Sequence, residues 1–491
     1  MKYEENKYAA LEEELWPELQ NKKRNWKKIL KPVGLIGLGL LCFLGGCIYV
    51  KASLPGQSEA SLKFDAVLDM MENKWYYADQ VDDLEQTLVD NALLGLTYSD
   101  IDLHTNYIPN SYAQQYQSSV DATSVGIGVS YYTGSEFVVT RVYKNSPAEI
   151  GGLQKGDVII AVDGQSVDAN DKSLVLSDLV MGEEGSEVVI TVKRGEEVLD
   201  FTCIRGLFSA SAYGEIIDQN VGYLAISDFG ITTAQDARLY LDDMIKAGVT
   251  KLMIDLRGDS GGYITTLQAM ASLFIPENKL VIYTQDKDGN RNDIYTIGDN
   301  YTQFNEFVIL VDGQSASASE GFTITMKENL DNVTIIGTTT YGKGSMQDSY
   351  SLLDGSILKL TTGKWFSPNG INVDGIGIEP DIAVDSHPVL TMTIYEYDET
   401  SGHTMDTVSQ QNGVIQAMLD YLDYPVNRMD GYFDQSTQDA LTQYCKDNDI
   451  SYSDSYDQTI YDALFDDVMY ESKFDTLKDT VYQKGLELLH E

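Results

Sequence analysis

Residues 307–330 read FVILVDGQSASASEGFTITMKENL. An apolar run is followed by a turn of small residues, Asp312 to Ser319, and then by a helical stretch. Small residues at a strand-to-helix turn let a hydroxyl stand exposed at a helix N-terminus, where backbone N–H groups point at incoming negative charge. Alone, a Ser/Ala run before Glu320 also reads as an ordinary helix cap. Around it the same alternation continues. The β-rich runs VGYLAI (221–226), KLMIDL (251–256) and VTIIGT (333–338) are interleaved with the helical stretch TAQDARLYLDDMIKAG (233–248). Strand–helix alternation of this kind predicts an α/β layer architecture over about residues 207–395.

A second motif lies downstream at Thr340–Gln347, TYGKGSMQ. Lys343 is flanked by glycines, which leaves backbone clearance on both sides. Desolvated in such a place, its amine can lose a proton near neutral pH and serve as a general base. Taken alone, it reads as a surface-loop lysine.

The chain has 491 residues, 43% of them hydrophobic, enough for two to four domains with sizeable cores. With 34 Lys+Arg against 76 Asp+Glu, its net charge is −42, which repels phosphate backbones and excludes nucleic acid as a partner. Four cysteines without metal-ligand spacing exclude a disulfide scaffold, and four histidines make a His-based metal cage improbable. No cofactor is implied.

From Pro32 to Val50 the chain is apolar and uncharged, long enough at ~1.5 Å per residue to approach a ~30 Å hydrocarbon core. Lys22, Lys23, Arg24, Lys27, Lys28 and Lys31 crowd its N-terminal side, so the positive-inside rule puts residues 1–31 in the cytosol. A single-pass anchor over 32–50 is the leading expectation. The rivals are a cleaved signal peptide and lipidation at Cys47, since Leu44-Gly45-Gly46-Cys47 resembles a bacterial lipoprotein processing site. Anchor and lipidation both leave the rest of the chain tethered to the cell membrane and facing outward.

Leu62, Phe64, Val67, Leu68 and Met71, then Leu84, Leu88 and Leu93, recur at helical spacing and mark a helical region over 55–117. Residues 118–206 change to short strands with glycine punctuation. They carry Gly126-Ile127-Gly128, then Asn145-Ser146-Pro147-Ala148, Gly152-Leu153, Gly156-Asp157 and Asp163-Gly164. The glycines around Ile127 allow consecutive N–H groups to face one point and hold a terminal carboxylate. In this order the pieces resemble a bacterial-type PDZ domain, which implies capture of an extended peptide C-terminus at Gly126, Ile127 and Gly128.

Together the motifs resemble the C-terminal processing peptidases, or tail-specific proteases, over about residues 60–390. The stretches that carry the likeness are Ser315–Glu320, Tyr341–Gln347, Asp255–Gly262 (DLRGDSGG), Asp102–Tyr107 (DLHTNY), Trp365–Pro368 and Gly377–Asp381. The resemblance implies a multidomain α/β and α+β serine endopeptidase. Ser317 would be the nucleophile and Lys343 the base, with Gln347 orienting the lysine one helical turn on. The oxyanion hole would use the Ala318 N–H and a glycine N–H at Gly261 or Gly262. Glu320 would support the site. Three features depart from the family pattern: Asp259 replaces its Asn, Leu103 replaces its Pro, and the Ser317–Lys343 spacing runs one residue longer. The longer spacing keeps Ser319 an alternative nucleophile. The other reading of the modules is a non-catalytic PDZ scaffold tethering a partner at the cell wall.

Residues 405–491 are helical. Met429-Asp430-Gly431-Tyr432-Phe433 and Thr437-Gln438-Asp439-Ala440-Leu441 resemble a three-helix peptidoglycan-binding module, with a helical packing appendage as the alternative. The substrate's identity and the oligomeric state are left open.

Overall fold

The computed structural model describes residues 58–169, 171, 174–298 and 300–491. The apolar run 32–50 and its flanks lie outside the described residues. Among those described, no helix is long and apolar enough to cross a membrane.

The 307–330 stretch does what its pattern dictates. Its apolar start forms the strand Glu306–Val311, five of whose six residues are buried, and its second half forms the helix Ala318–Asn329. A strand buried on both faces belongs in the middle of a covered parallel sheet. Here the sheet has six strands, in the order Ala212–Asp218, Val221–Ile226, Lys251–Asp255, Glu306–Val311, Val333–Gly337 and Ile382–Ala383. The first pair is antiparallel and the others are parallel.

Strand alternation sends one set of side chains to each face. Leu224, Ile254, Ile309 and Ile335 pack with Leu241, Met244, Leu267, Met270, Phe322 and Met326 from the helices Thr233–Lys246, Ile264–Ser272 and Ala318–Asn329. Tyr223, Met253, Val308, Leu310 and Ile336 form a second core with Val481, Tyr482 and Leu489. That second layer is the helix Thr480–His490. Gly485 lets it lie close: a Cβ there would stand 3.0 Å from Met253 Cε and 3.2 Å from Leu310 Cδ2. Arg257 clamps its start, donating two 2.8 Å bonds to the Asp479 carboxylate while also gripping Asp255.

This corrects the expected 405–491 unit. Only Gln410–Tyr421, Gln435–Asp447 and Gln458–Phe474 make a three-helix body with its own core, around Val414, Met418, Leu441, Tyr444 and Leu464. The last helix belongs to the α/β core, because Val481 and Leu489 are needed to cover the open face of its sheet.

Residues 129–204 form an antiparallel sheet in the order Val129–Thr133, Phe137–Val142, Val158–Val162, Glu187–Arg194, Glu197–Ile204. Two short helices, Pro147–Gly151 and Leu176–Val180, complete this unit. Ser146 caps the first of them, accepting from the Glu149 N–H, and Asp163 and Gly164 turn a hairpin at positive φ. The edge strand Val129–Thr133 reaches the C-terminal body, where the Tyr132 hydroxyl donates to the Asp466 carbonyl and its ring meets Tyr470 and Phe474.

The helices Glu59–Lys74 and Leu84–Thr97 occupy the expected helical region. A five-stranded sheet joins Asn106–Ile108 to Ile357–Phe366, which also pairs with Leu280–Asp286 and Ser345–Ser351. It carries the residues after Lys343 and those around His104 to one place.

Candidate active site

Ser317 sits between the strand Glu306–Val311 and the helix Ala318–Asn329 with φ 56° and ψ −113°. A non-glycine residue at positive φ is strained, and it persists only where its surroundings over-determine it. They do so here. The Ser315 hydroxyl donates to the Leu256 carbonyl (2.7 Å), and the Ala316 N–H donates to the Asp259 carbonyl (2.9 Å). Ser317 is left partly exposed at the helix start. Ser319, one step into the helix, is fully buried, and its hydroxyl has no hydrogen-bond partner.

Gly261 forms the wall beside the serine. A Cβ on it would lie 2.7 Å from Ala316 O, 2.8 Å from Ala318 N and 2.8 Å from Ser317 Cβ, so only glycine fits. Its N–H donates to Asp259 Oδ1 at 2.8 Å. The Gly262 and Ala318 N–H groups have no acceptor among the described residues. Two free donors on the loops that carry a partly exposed hydroxyl can stabilise an oxyanion.

Glu320 ties the serine turn to the lysine loop. It is fully buried, and its Oε2 accepts from the Ser317 N–H (2.8 Å) and the Lys343 N–H (2.9 Å). Its Oε1 accepts from the Thr340 hydroxyl (2.6 Å) and the Gly342 N–H (2.7 Å). Charge-assisted bonds of this kind contribute ~1.5–3 kcal/mol each. The loop is also held from the far side, by the Trp365 indole N–H on the Lys343 carbonyl at 2.9 Å.

Lys343 makes no ion pair among the described residues. Burial pulls its ammonium down to about 8, the charge of Lys359 pulls the same way, and Glu320 opposes. Lys359 is itself pushed below the ordinary lysine range by burial. His104 lies within their field: burial lowers its imidazole, and the charges of Lys343 and Lys359 lower it further. The two residues Ser317 and Lys343 meet through their backbone N–H groups on Glu320 Oε2, and a low-pKa amine with a serine hydroxyl is the chemical type of a base and a nucleophile.

Gln347 does not stand one helical turn beyond Lys343. Residues Ser345–Ser351 form a strand, paired with Ile357–Phe366 and bulged between Met346 and Gln347. The Gln347 amide donates to the hydroxyls of Ser345 (3.1 Å) and Thr361 (3.2 Å). Thr361 in turn donates to Asp102, which also holds Thr105. The Asp102–Tyr107 motif thus buttresses the lysine loop through the sheet. Lys359 escaped the sequence reading because, within ILKLTTGK, it looks like an outward strand position. Its partial burial depends on a partner strand about 250 residues away in sequence, Asn106–Ile108.

Just before the 129–204 sheet, Ile127 is buried and its carbonyl accepts from the Ala148 N–H at 2.7 Å. Gly128 has φ 77°, and a Cβ on it would stand 2.4 Å from Ser146 Cβ. The Ile127 and Gly128 N–H groups have no acceptor among the described residues. They are free to meet a ligand.

Known proteins match this arrangement. Residues 220–384 match the model of peptidase family S41, and residues 138–194 match a PDZ domain. The carboxy-terminal processing protease CtpA of Bacillus subtilis is 30% identical over 421 residues, covering 84% of this chain and 87% of its own length. CtpB of the same organism is 26% identical over 484 residues, covering 94% of this chain and 99% of its own. A probable CtpA-like serine protease of Staphylococcus haemolyticus is 27% identical over 444 residues, covering 89% of this chain and 88% of its own. With these matches added to the serine turn, the lysine loop and the PDZ sheet, the chain belongs to the carboxy-terminal processing serine proteases of family S41.

Proposed function

We propose that the chain is a Ser-Lys dyad endopeptidase that reads the C-terminal tails of its protein substrates. The observation that carries this reading is the Glu320 carboxylate, one of whose oxygens binds the backbone N–H of both Ser317 and Lys343. Neutral Lys343 takes the proton of Ser317 Oγ as that oxygen bonds to the scissile carbonyl carbon. The carbonyl oxygen becomes an oxyanion facing the Ala318 N–H and the Gly261–Gly262 wall. As the C–N bond breaks, the departing amine receives the proton from Lys343. Water then hydrolyses the acyl-serine by the same route in reverse. Gln347 positions the lysine loop through Ser345 and Thr361. No step uses a metal, so EDTA should leave turnover unchanged.

The pH dependence follows from the base. Lys343 works unprotonated, and its amine titrates at about 8. Lowering the pH below that value protonates the base, so kcat should fall about tenfold per pH unit on the acid side. A rate–pH profile flat from pH 6 to 8 would remove Lys343 from this role.

The free N–H groups of Ile127 and Gly128 suit a terminal carboxylate. Substrates would add as a strand and present an apolar C-terminal residue, with cleavage upstream. Amidating that terminus exchanges an acceptor for donors. A long amidated peptide should therefore be cleaved roughly tenfold more slowly than its free acid, with little difference for a short peptide that reaches only Ser317. Equal rates for the long pair would make the PDZ domain a docking surface rather than a tail reader. An outward-facing enzyme held at the membrane by residues 32–50, with the three-helix body resting on peptidoglycan, is the setting supported by the N-terminal charge pattern and the Asp430–Phe433 turn.

A further inference from the structure

Asp259 sits directly behind the serine site and is fully buried. One of its oxygens, Oδ1, accepts the Gly261 N–H at 2.8 Å; the other, Oδ2, has no hydrogen-bond partner. Its backbone carbonyl accepts from the Ala316 N–H, next to the nucleophile. No lysine, arginine or histidine pairs with it among the described residues. The charged group that faces it is another carboxylate, Asp228, on the loop after the strand Val221–Ile226. A carboxylate with one neutral donor, an acidic neighbour and no cation is held at high cost in a dry site. An uncharged carboxylic acid costs far less there, even with its O–H unpaired.

We propose that Asp259 works as a neutral carboxylic acid, a positioning residue that holds the Gly261–Gly262 wall against Ser317, and that its ionisation switches the site off on the alkaline side. The inference rests on the Ser317–Lys343 reading for its catalytic consequence only. Burial drives the Asp259 carboxyl well above the ordinary carboxylate range; the Gly261 N–H opposes this and Asp228 adds to it. Loss of the proton on Oδ2 places a negative charge behind the point where the oxyanion forms, which repels it. The anion also pulls harder on the Gly261 N–H it already holds, which shifts the glycine wall that presents the free Gly262 N–H to substrate. Combined with the acid limb set by Lys343, the result is a bell-shaped profile with two separable owners.

The sign for stability follows independently. The folded state keeps a proton that the unfolded chain releases near pH 4, so rising pH destabilises the wild type until the folded group itself ionises. Asparagine supplies the same Oδ1 acceptor and cannot ionise. Asp259→Asn should therefore raise Tm, by several degrees more at pH 8 than at pH 5. Measured in a Ser317→Ala background, this comparison is untouched by any error about the catalytic pair. In the active enzyme, Asp259→Asn should abolish the alkaline decline of kcat and retain the acid limb.

Asp259→Ser, with no acceptor at the same reach, should lower kcat at every pH more than it changes KM. A Tm difference between Asp259→Asn and wild type that does not change with pH would overturn the neutral acid. A pH-dependent Tm gain with an unaltered alkaline limb would overturn the positioning role.

Discussion

Replacing Ser317 by alanine should cut peptide turnover by ~10³-fold or more while the fold is retained, and Lys343→Ala should do the same. The double variant should be no worse than either single one, because a nucleophile and its base act as one unit. The site explains why folding should survive. Ser317 is partly exposed, and its anchoring bond to Glu320 comes from the backbone N–H, which alanine keeps. Ser319→Ala should be mild, since it removes a buried hydroxyl that bonds to nothing. An inactive Ser319→Ala beside an active Ser317→Ala would move the nucleophile by two residues.

Glu320→Ala should damage both stability and rate. Three N–H groups and the Thr340 hydroxyl converge on this carboxylate in a fully buried place. Removing it leaves all four donors without their acceptor, and breaking a buried network of this sort costs ~3–5 kcal/mol. For a core of this size that corresponds to a drop in Tm of about 10 °C. Turnover should fall ~10²-fold, because the serine turn and the lysine loop lose their shared tether and small misplacements are expensive in rate. Glu320→Gln, which keeps one acceptor oxygen, should lie between the two. Thermal melts and kcat on the same preparations check both parts. A Glu320→Ala enzyme with wild-type kcat would show that the tether has no part in catalysis.

Much of this was legible in the sequence because it was local. Apolar runs of five or six residues became the parallel strands, and the Ser/Ala turn before Glu320 became a strained corner with a helix behind it. The PDZ punctuation at Ser146-Pro147 and Asp163-Gly164 became a capped helix and a hairpin, since proline and positive-φ turns act within a few residues. What escaped depended on distant partners. Residues 480–490 look like any amphipathic helix until the sheet they cover is known. Gln347 was expected on a helix from its four-residue offset, but pairing with Ile357–Phe366 makes that segment a strand. The burial of Asp259 and Lys359, which sets their chemistry, cannot be read from DLRGDSGG or ILKLTTGK. It arises where separate elements meet.

The most direct test of the catalytic assignment is to trap the acyl-enzyme. A peptide ester that acylates quickly and hydrolyses slowly is mixed with the enzyme and quenched in acid, and the modified residue is located by mass spectrometry after digestion. The dyad mechanism predicts an ester adduct on Ser317 that forms normally in Ser319→Ala, is lost in Ser317→Ala, and accumulates at least ~10³-fold more slowly in Lys343→Ala. An adduct on Ser319, or rapid acylation of Ser317 without Lys343, would contradict it.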